Sequence, residues 1–384
     1  MPSHHRITLL AALLLSTVVA LAQSKPRARD LGVPFDGTPG PLNAITDVKG
    51  VEVGHTTLIS GEGPLKVGVG PVRTGVTAIL PRGKDSLDAV FAAWFTLNGN
   101  GEMTGTTWVE ESGFMDGPFM ITNTHSVGVV RDAVIAWRIK RAPPDEEGYS
   151  WSLPVVAETA DDDLNDMNGF HVKPEHVFHA LDSAHGGPVE EGSVGGGTGM
   201  ICNEFKGGIG TASRVLSAKD GGYTIGVLAQ CNYGWRSQLR IAGVSVGREI
   251  SDHTVRDEDV GSIIVVVATD APLLPTQLKR LAKRVSLGLG RLGSFASDGS
   301  GDIFLAFSTA NPGAYSGKGL HSLSMLSNRS LNPLFVATVQ ATEESVVNAM
   351  VAAETMTGIN NRTVIGLPHD RLREVLKKYN RLVK

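Results

Sequence analysis

The sequence is poor in the features that define several protein classes. Only two cysteines occur among 384 residues, Cys202 and Cys231, and neither lies in a Cys-x-x-Cys or histidine-rich context. Two cysteines are too few for a disulfide framework, and their surroundings do not favour a zinc site. An oxidising compartment would permit them to pair, but two buried free thiols fit the sequence equally well.

Basic blocks and internal repeats are also missing. The 35 lysines and arginines are nearly balanced by 39 aspartates and glutamates, and no run of basic residues stands out. A nucleic-acid partner therefore has no electrostatic support. Hydrophobic residues make up 41% and charged residues 19%, which indicates a globular protein of one large domain or two ordinary ones.

Long apolar runs are absent except at the N-terminus. Residues 7–22 follow the short basic segment HHR at 4–6 and end in a small-x-small cleavage site, ALA at 20–22. This pattern predicts a secretory signal peptide over residues 1–22. We therefore expect a periplasmic or secreted protein that has no membrane attachment after the signal is removed. An uncleaved N-terminal anchor is the alternative.

Apolar runs bounded by glycine and proline indicate an alternation of strands and helices. Strands are predicted over residues 51–57, 75–80, 223–228, 262–268, 303–307 and 333–339. Helices are predicted over residues 132–140, 278–285 and 342–356, the last with Thr342 as N-cap, and from about residue 370 onward. Because the order is not a steady βαβ repeat, the pattern supports a sheet-rich, layered α/β or α+β fold.

The most informative local feature is the abrupt change at Gly261. Here a charged loop, residues 252–259, gives way to Ser262 and an apolar strand. A serine hydroxyl needs a base at neutral pH. If the Gly261–Ser262 bond is cut, the new α-amine, with a reference pKa of about 7.7–8.0, can accept the hydroxyl proton. Glycine also permits the strain of an N-to-O acyl shift, although a Gly-Ser turn is the ordinary alternative.

Eight segments together carry a specific resemblance. They are ARDLGVPFDGTPGPLNAITDVKGVEVGHTTL at 28–58, LNGNGEMTGTTWVEESG at 97–113, TNTHSVGVVRDAVIAWR at 122–138, LPVVAET at 153–159, GGGTGMICNEFKGGIGTASR at 195–214, NYG at 232–234, GSIIVVVATDAPLLPTQLKRLAKR at 261–284 and SGDIFLAFSTAN at 300–311. Over nearly the whole chain after the signal, the sequence resembles the L-aminopeptidase/D-esterase family, which includes the β-peptidyl aminopeptidases.

The resemblance implies a processed enzyme. Its precursor would be cleaved before Ser262 to give an α chain of residues 23–261 and a β chain of residues 262–384. The implied fold is a four-layer αββα sandwich, related in architecture to ornithine acetyltransferase. The αβ heterodimers are expected to assemble into a tetramer of αβ units, and no metal or organic cofactor is implied.

Site residues follow position by position from the same resemblance. Ser262 matches the nucleophile, and Ser300 matches a second serine that hydrogen-bonds it. Asp302 stands where the family typically has a glutamate, which is one methylene longer. Asn232 matches an oxyanion-hole asparagine, and Glu158 matches a carboxylate that binds the free amino group of the substrate. Taken singly, each fits an ordinary turn, loop or solvated residue.

Ala160, the glycine-rich residues 195–199 and two histidines are further features of the sequence that bear on the predicted site. Ala160 stands where better-known relatives carry a tyrosine whose hydroxyl contributes to the oxyanion site, so another donor, slower turnover or a roomier pocket is expected. Residues 195–199 lack the spacing of a phosphate-binding loop and are interpreted as backbone close to the active site, where they could line the substrate cleft. His125 and His253 are interpreted as structural.

The resemblance thus implies a self-processing serine aminopeptidase or amidase. It would release N-terminal L-α, D-α or β-amino acids from short peptides, amides or esters. One alternative is an acyl or aminoacyl transferase that uses the same nucleophile. The other, favoured by Ala160, is a weakly catalytic peptide-binding relative.

Overall fold

The computed structural model of the protein describes residues 25–141, 151–256 and 261–383, so the predicted signal peptide lies outside the described residues. The strands are β1 (Glu52–Ser60), β2 (Val72–Leu80), β3 (Val90–Gly99), β4 (Phe114–Met115), β5 (Phe119–Thr122), β6 (Val155–Glu158), β7 (Ile201–Cys202), β8 (Phe205–Lys206), β9 (Gly208–Val215), β10 (Thr224–Asn232), β11 (Gly261–Thr269), β12 (Ser300–Ser308), β13 (Met356–Thr357) and β14 (Thr363–Val364). The helices are α1 (Thr106–Ser112), α2 (Val127–Ile139), α3 (Pro174–Asp182), α4 (Val246–Glu249), α5 (Pro275–Arg291), α6 (Asn332–Ala352) and α7 (His369–Lys378).

Two sheets form the centre of the molecule. A six-stranded sheet has the order β4-β3-β12-β11-β10-β9, and a four-stranded sheet has the order β1-β2-β5-β6. In the larger sheet β11 is parallel to β12 and antiparallel to β10. In the smaller sheet β5 and β6 are parallel. Two further pairs, β7-β8 and β13-β14, are short hairpins outside these sheets.

Strand β11 shows how the apolar sequence makes the layers. Ile264 and Val266 point into the core between the two sheets, together with Ile79 and Phe119 of the smaller sheet. Ile263 and the alternate residues after it enter a second core with helices α5 and α6. Both faces of β11 are therefore buried, which explains its uninterrupted run of apolar residues.

The outer layers are helical. Helices α5 and α6 pack on the open face of the six-stranded sheet, where Leu278 and Val347 share a core with β11. Helices α2 and α3 cover the four-stranded sheet through a separate core that includes Val134 and Leu181. The layers thus follow the order helix, sheet, sheet, helix, which confirms the expected four-layer αββα sandwich.

The long helix α6 corrects two predictions. Residues 333–339 were predicted as a strand, but they form the first part of α6, with Pro333 in its first turn. Thr342 does not cap a helix, because it lies inside α6 and its Oγ1 donates to the Thr338 carbonyl oxygen at 2.8 Å. The helix also ends at Ala352, before residue 356. The first part of α6, residues 333–339, is mostly apolar, so its sequence lacks the alternation of apolar and polar faces that indicates a surface helix.

Two remaining expectations concern the thiols and the membrane. Cys202 and Cys231 are both buried free thiols, and burial together with the Cys202 thiol raises the pKa of Cys231 well above its ordinary value. Among residues 25–141, 151–256 and 261–383, no helix combines the length and hydrophobicity needed to cross a bilayer.

Candidate active site

Three neighbouring strands of the six-stranded sheet bring the predicted nucleophile and its neighbours together at one end of the strands. Ser262 is the second residue of β11 and pairs with Asn232, the last residue of β10, and with Gly301 of β12. Ser300 is the first residue of β12 and pairs with Gly261. Because β11 is parallel to β12 and antiparallel to β10, strands β11 and β12 start where strand β10 ends.

Gly261 occupies a position that only glycine fits. Its φ of +143° lies in the region that side chains rarely adopt. A Cβ atom there would come within 1.9 Å of the Asn232 carbonyl oxygen. Any other residue would thus combine backbone strain with a collision against fixed backbone. The glycine lets the bond before Ser262 lie directly against the end of β10.

The side chain of Asn232 is held from both sides. Its Oδ1 accepts from the backbone N–H of Ile201 at 2.8 Å, and its Nδ2 donates to the Ala160 carbonyl oxygen at 2.8 Å. An asparagine amide carries two N–H groups, so this arrangement uses one and fixes the direction of the other. Ala160 therefore contributes through its backbone carbonyl, a role that the sequence did not indicate.

Ser300 and Asp302 form a buried pair beside Ser262. The Ser300 Oγ donates to the Asp302 Oδ1 at 2.6 Å, and Asp302 is fully buried. The shorter aspartate thus reaches the serine in spite of its missing methylene. The Ser300 carbonyl in turn accepts from the Nδ2 of Asn98 on β3. The start of β12 is fixed by these contacts on both its backbone and its side chains.

Glu158 comes from the other sheet. It is the last residue of β6 and only 3% exposed. Its Oε1 accepts from the Glu102 backbone N–H at 2.8 Å, and its Oε2 accepts from the Thr124 hydroxyl. Burial raises the pKa of the Glu158 carboxyl above its ordinary value, although the two hydrogen bonds oppose this rise. A carboxylate in this state gains from a cationic partner.

One cleft collects most of these groups. Its volume is about 660 Å³, and its lining includes Glu158, Ala160, Asn232, Gly261 and Ser262. A nucleophile, an amide donor and a carboxylate thus face one space large enough for a small ligand. Ser300 and Asp302 are buried next to Gly299, which belongs to the lining.

The acidic segment after β6 is more buried than such runs ordinarily are. A solvated loop or helix face is the ordinary structure of such a run, but Asp161 and Asp166 are each only 1% exposed. The Asp161 carboxylate accepts from Asn123 Nδ2 at 3.0 Å and from Asn165 Nδ2 at 2.9 Å. Burial raises the pKa of Asp161 to about 6. The sequence displayed the acidic run, but nothing in it indicated that the carboxylates are buried.

A second group of charges in the cleft also went unrecognised. Arg256 donates through Nε to Asp163 Oδ2 at 2.9 Å, and Arg362 donates to the other oxygen of Asp163. All three residues line the cleft. They lie far apart in the sequence, so no local pattern could have joined them.

The glycine-rich turn and the two histidines have other roles. Gly195 and Gly196 pack against the four-stranded sheet, where their N–H groups donate to Thr57 and Thr77. The described lining of the cleft does not include residues 195–199, so these residues do not line the cleft, although Gly199 packs against Asp161 beside it. His125 and His253 are exposed, and the His125 ring stacks on Phe170.

Comparison with known proteins identifies the family. Residues 43–364 match the model of peptidase family S58. The chain belongs to this family. It is 57% identical to beta-peptidyl aminopeptidase BapA of Sphingosinicella microcystinivorans over 94% of this chain and 95% of that protein.

Solved structures agree with this membership. The L-aminopeptidase D-Ala-esterase/amidase of Ochrobactrum anthropi, a variant of the Ntn hydrolase fold, aligns with a TM-score of 0.88 and 49% identity over 94% of this chain and 100% of that one. A Burkholderia beta-aminopeptidase aligns with a TM-score of 0.85 and 49% identity over 92% and 99% of the two chains. The resemblance to the L-aminopeptidase/D-esterase family is confirmed, and this S58 member is a hydrolase of the N-terminal-nucleophile type.

Proposed function

We propose that this protein is an exported aminopeptidase that activates itself by cleavage before Ser262. It would release N-terminal residues from short peptides, amides or esters. The observation that carries the proposal is the cleft itself, where Ser262 at the start of a buried strand faces Asn232 and Glu158. The names of the relatives favour β-amino acids as the released residues.

The close packing of Gly261 against the end of β10 supports self-cleavage at the bond that follows it. The Ser262 hydroxyl attacks the Gly261 carbonyl carbon, the peptide C–N bond breaks, and the amine takes up the hydroxyl proton. Water then hydrolyses the resulting ester, which leaves a carboxylate on Gly261 and restores the hydroxyl. The products are the α chain, residues 23–261 after signal removal, and the β chain, residues 262–384.

Turnover uses the same serine. The α-amine of Ser262 accepts the hydroxyl proton while the oxygen attacks the substrate carbonyl. The remaining N–H of the Asn232 amide stabilises the oxyanion. Ser300, oriented by Asp302, hydrogen-bonds the nucleophile. The amine of the leaving group takes the proton, and water resolves the acyl-enzyme.

Glu158 explains why the activity would be that of an aminopeptidase. Its buried carboxylate accepts two hydrogen bonds and lines the same cleft as Ser262. An ammonium group at this place relieves the cost of keeping the carboxylate ionised. A substrate that presents a free N-terminus next to its scissile bond is therefore favoured over an internal peptide segment.

Intact mass and a denaturing gel test the proposal. The wild-type protein should give two fragments that begin at residues 23 and 262, whereas Ser262→Ala should remain one chain. Ser60→Ala is a matched control, because Ser60 is exposed at the end of β1, and this variant should be cut normally. An active enzyme with an unbroken 261–262 bond would contradict the mechanism.

Product analysis separates hydrolysis from acyl transfer. With an amine added as acceptor, the proposed hydrolase should still release mainly the free amino acid, whereas a transferase would form the new amide. Equal turnover by the wild type and Ser262→Ala would instead point to a contaminant and to a peptide-binding relative without catalysis. The tetramer of αβ units and the periplasmic or secreted location belong to the same proposal. The molar mass of the processed protein in solution tests the tetramer, and cell fractionation tests the location.

A further inference from the structure

The charged residues of the cleft fall into two contact groups. Glu158 bonds with the Glu102 backbone and with Thr124, whereas Arg256 and Arg362 both contact Asp163. The proposed function uses the first group to hold the substrate ammonium and assigns no role to the second group.

The second group contains two arginines that line the cleft. Arg256 and Arg362 both contact the Asp163 carboxylate, and each guanidinium presents its N–H donors in a fixed planar fork. Asp163 and Arg256 are largely buried, with side-chain exposures of 17% and 10%, whereas the Arg362 side chain is 48% exposed. Arg362 contacts Asp163 through one nitrogen in the described part of the chain, so its fork retains donors that can face the cleft.

The orientation of the substrate in the cleft determines which part of the substrate would contact these arginines. If Glu158 holds the ammonium and Ser262 attacks the carbonyl, the leaving group must extend away from Glu158. The lining of the cleft also includes Val255, Arg256 and Arg362, together with Asp162 and Asp163. In a dipeptide the leaving group is an amino acid, which carries a carboxylate close to the scissile bond.

We infer that Arg362, held in place by Asp163 and Arg256, forms a subsite for a carboxylate on the leaving group. The inference rests on the proposed function, and it deepens it by naming the substrate class, which is short peptides with both termini free. Arginine suits this task because its planar fork matches a carboxylate in two hydrogen bonds. The exposed Asp162 lies beside this group in the cleft and acts against an anionic ligand.

A matched substrate pair tests the subsite. The free acid β-alanyl-L-alanine and its C-terminal amide differ only in the group that Arg362 would bind. We expect Arg362→Gln to lower the ratio of kcat/KM for the acid to kcat/KM for the amide about tenfold. Arg362→Lys keeps the charge but not the fork, so it should recover part of the ratio. Asp162→Asn should raise the ratio.

Arg371→Gln is the matched control. Arg371 is also a half-exposed arginine, 41%, in an ion pair with an aspartate, Asp252, but it does not belong to the described lining of the cleft. This variant should keep the wild-type ratio. An equal ratio in Arg362→Gln and the wild type, or an equal drop in Arg371→Gln, would overturn the subsite.

The same assay distinguishes the two proposals. If the wild type cleaves the amide, and Ser262→Ala abolishes this cleavage, the proposed function stands whatever happens to the ratio. If the wild type cleaves neither substrate nor any aminoacyl p-nitroanilide, the proposed function fails, and the subsite fails with it.

Discussion

The two sheets contribute different chemistry to the cleft. The six-stranded sheet contributes neutral groups, the hydroxyl of Ser262 and the amide of Asn232, whose positions are set by the register of β10, β11 and β12. The four-stranded sheet contributes the buried carboxylate of Glu158 and continues into the acidic segment that contains Asp161. Of the groups that the two sheets contribute, those that make and break bonds therefore lie on one side, and the carboxylate that would bind the substrate ammonium lies on the other.

This separation has a kinetic consequence. Groups that act only on the oxyanion should affect kcat, because they bind the transition state more strongly than the substrate. Groups that hold the ammonium should affect KM, because they bind both states alike. Substitutions on the two sides of the cleft can therefore break or sharpen the comparison.

The largest effect is expected at Asn232. Asn232→Ala removes the proposed oxyanion donor, and such a loss costs about 2.7–4 kcal/mol, or about 10²–10³-fold in kcat. KM should change little. Steady-state kinetics on the processed fraction, isolated as the two-chain form, measure the effect.

The control for this substitution is Asn332→Ala. Asn332 is exposed at the start of α6, so its loss should leave both constants at wild-type values. A loss in Asn232→Ala that appears only in KM would assign Asn232 to substrate binding and remove the contrast between the two sheets.

A smaller effect is expected at Glu158. Glu158→Gln keeps the shape but removes the charge, and we expect a drop of about tenfold to a hundredfold in kcat/KM, mainly through KM. Kinetics on an aminoacyl p-nitroanilide measure it. Glu110→Gln is the control, since Glu110 is exposed and pairs with Lys279. A pure loss of kcat in Glu158→Gln would place Glu158 among the bond-making groups.

The same division separates what the sequence could predict from what it could not. Strand β11 was predictable because its apolar residues are consecutive and both of its faces are buried. Its position between β10 and β12 places Ser262 against Asn232 by register alone. The four-layer arrangement came from the family resemblance, because no local pattern specifies how two sheets stack.

The carboxylate side was less accessible to sequence reasoning. Glu158 was found only through the resemblance, and Asp161 was not found. An acidic run is ordinarily solvated, and its burial depends on partners such as Asn123 and Asn165, one of which lies more than 30 positions away. The first part of helix α6 was mistaken for a strand for a different reason. Residues 333–339 are mostly apolar and consecutive, so they lack the period that indicates a surface helix.

Asp161 predicts a pH effect on stability. Burial raises the pKa of its carboxyl from 3.8 to about 6 in the folded protein. The folded state therefore holds this proton between about pH 4 and pH 6, where the unfolded state has lost it. The contribution of Asp161 to stability is present below pH 4 and is lost as the pH rises through 6.

Removing this carboxyl should remove its pH dependence. Between pH 4 and pH 7 the stability of Asp161→Asn should improve relative to the wild type by about 1–3 kcal/mol. Denaturant unfolding at the two pH values measures the change, and the difference between variant and wild type cancels most other carboxylates. Asp85→Asn, an exposed control, should show no such change. A constant difference for Asp161→Asn would mean that Asp161 ionises as an ordinary aspartate.

The smallest effect is expected at Ala160, which connects the two sides of the cleft. Its carbonyl oxygen accepts from Asn232, and its methyl group adds no hydrogen bond. Ala160→Gly keeps the carbonyl and adds only backbone freedom, which costs about 0.5–1 kcal/mol. We therefore expect kcat to fall by no more than about fivefold. A loss as large as that of Asn232→Ala would show that the side chain of Ala160, and not its carbonyl, orients the amide, and that the two sides are less separate than their contacts indicate.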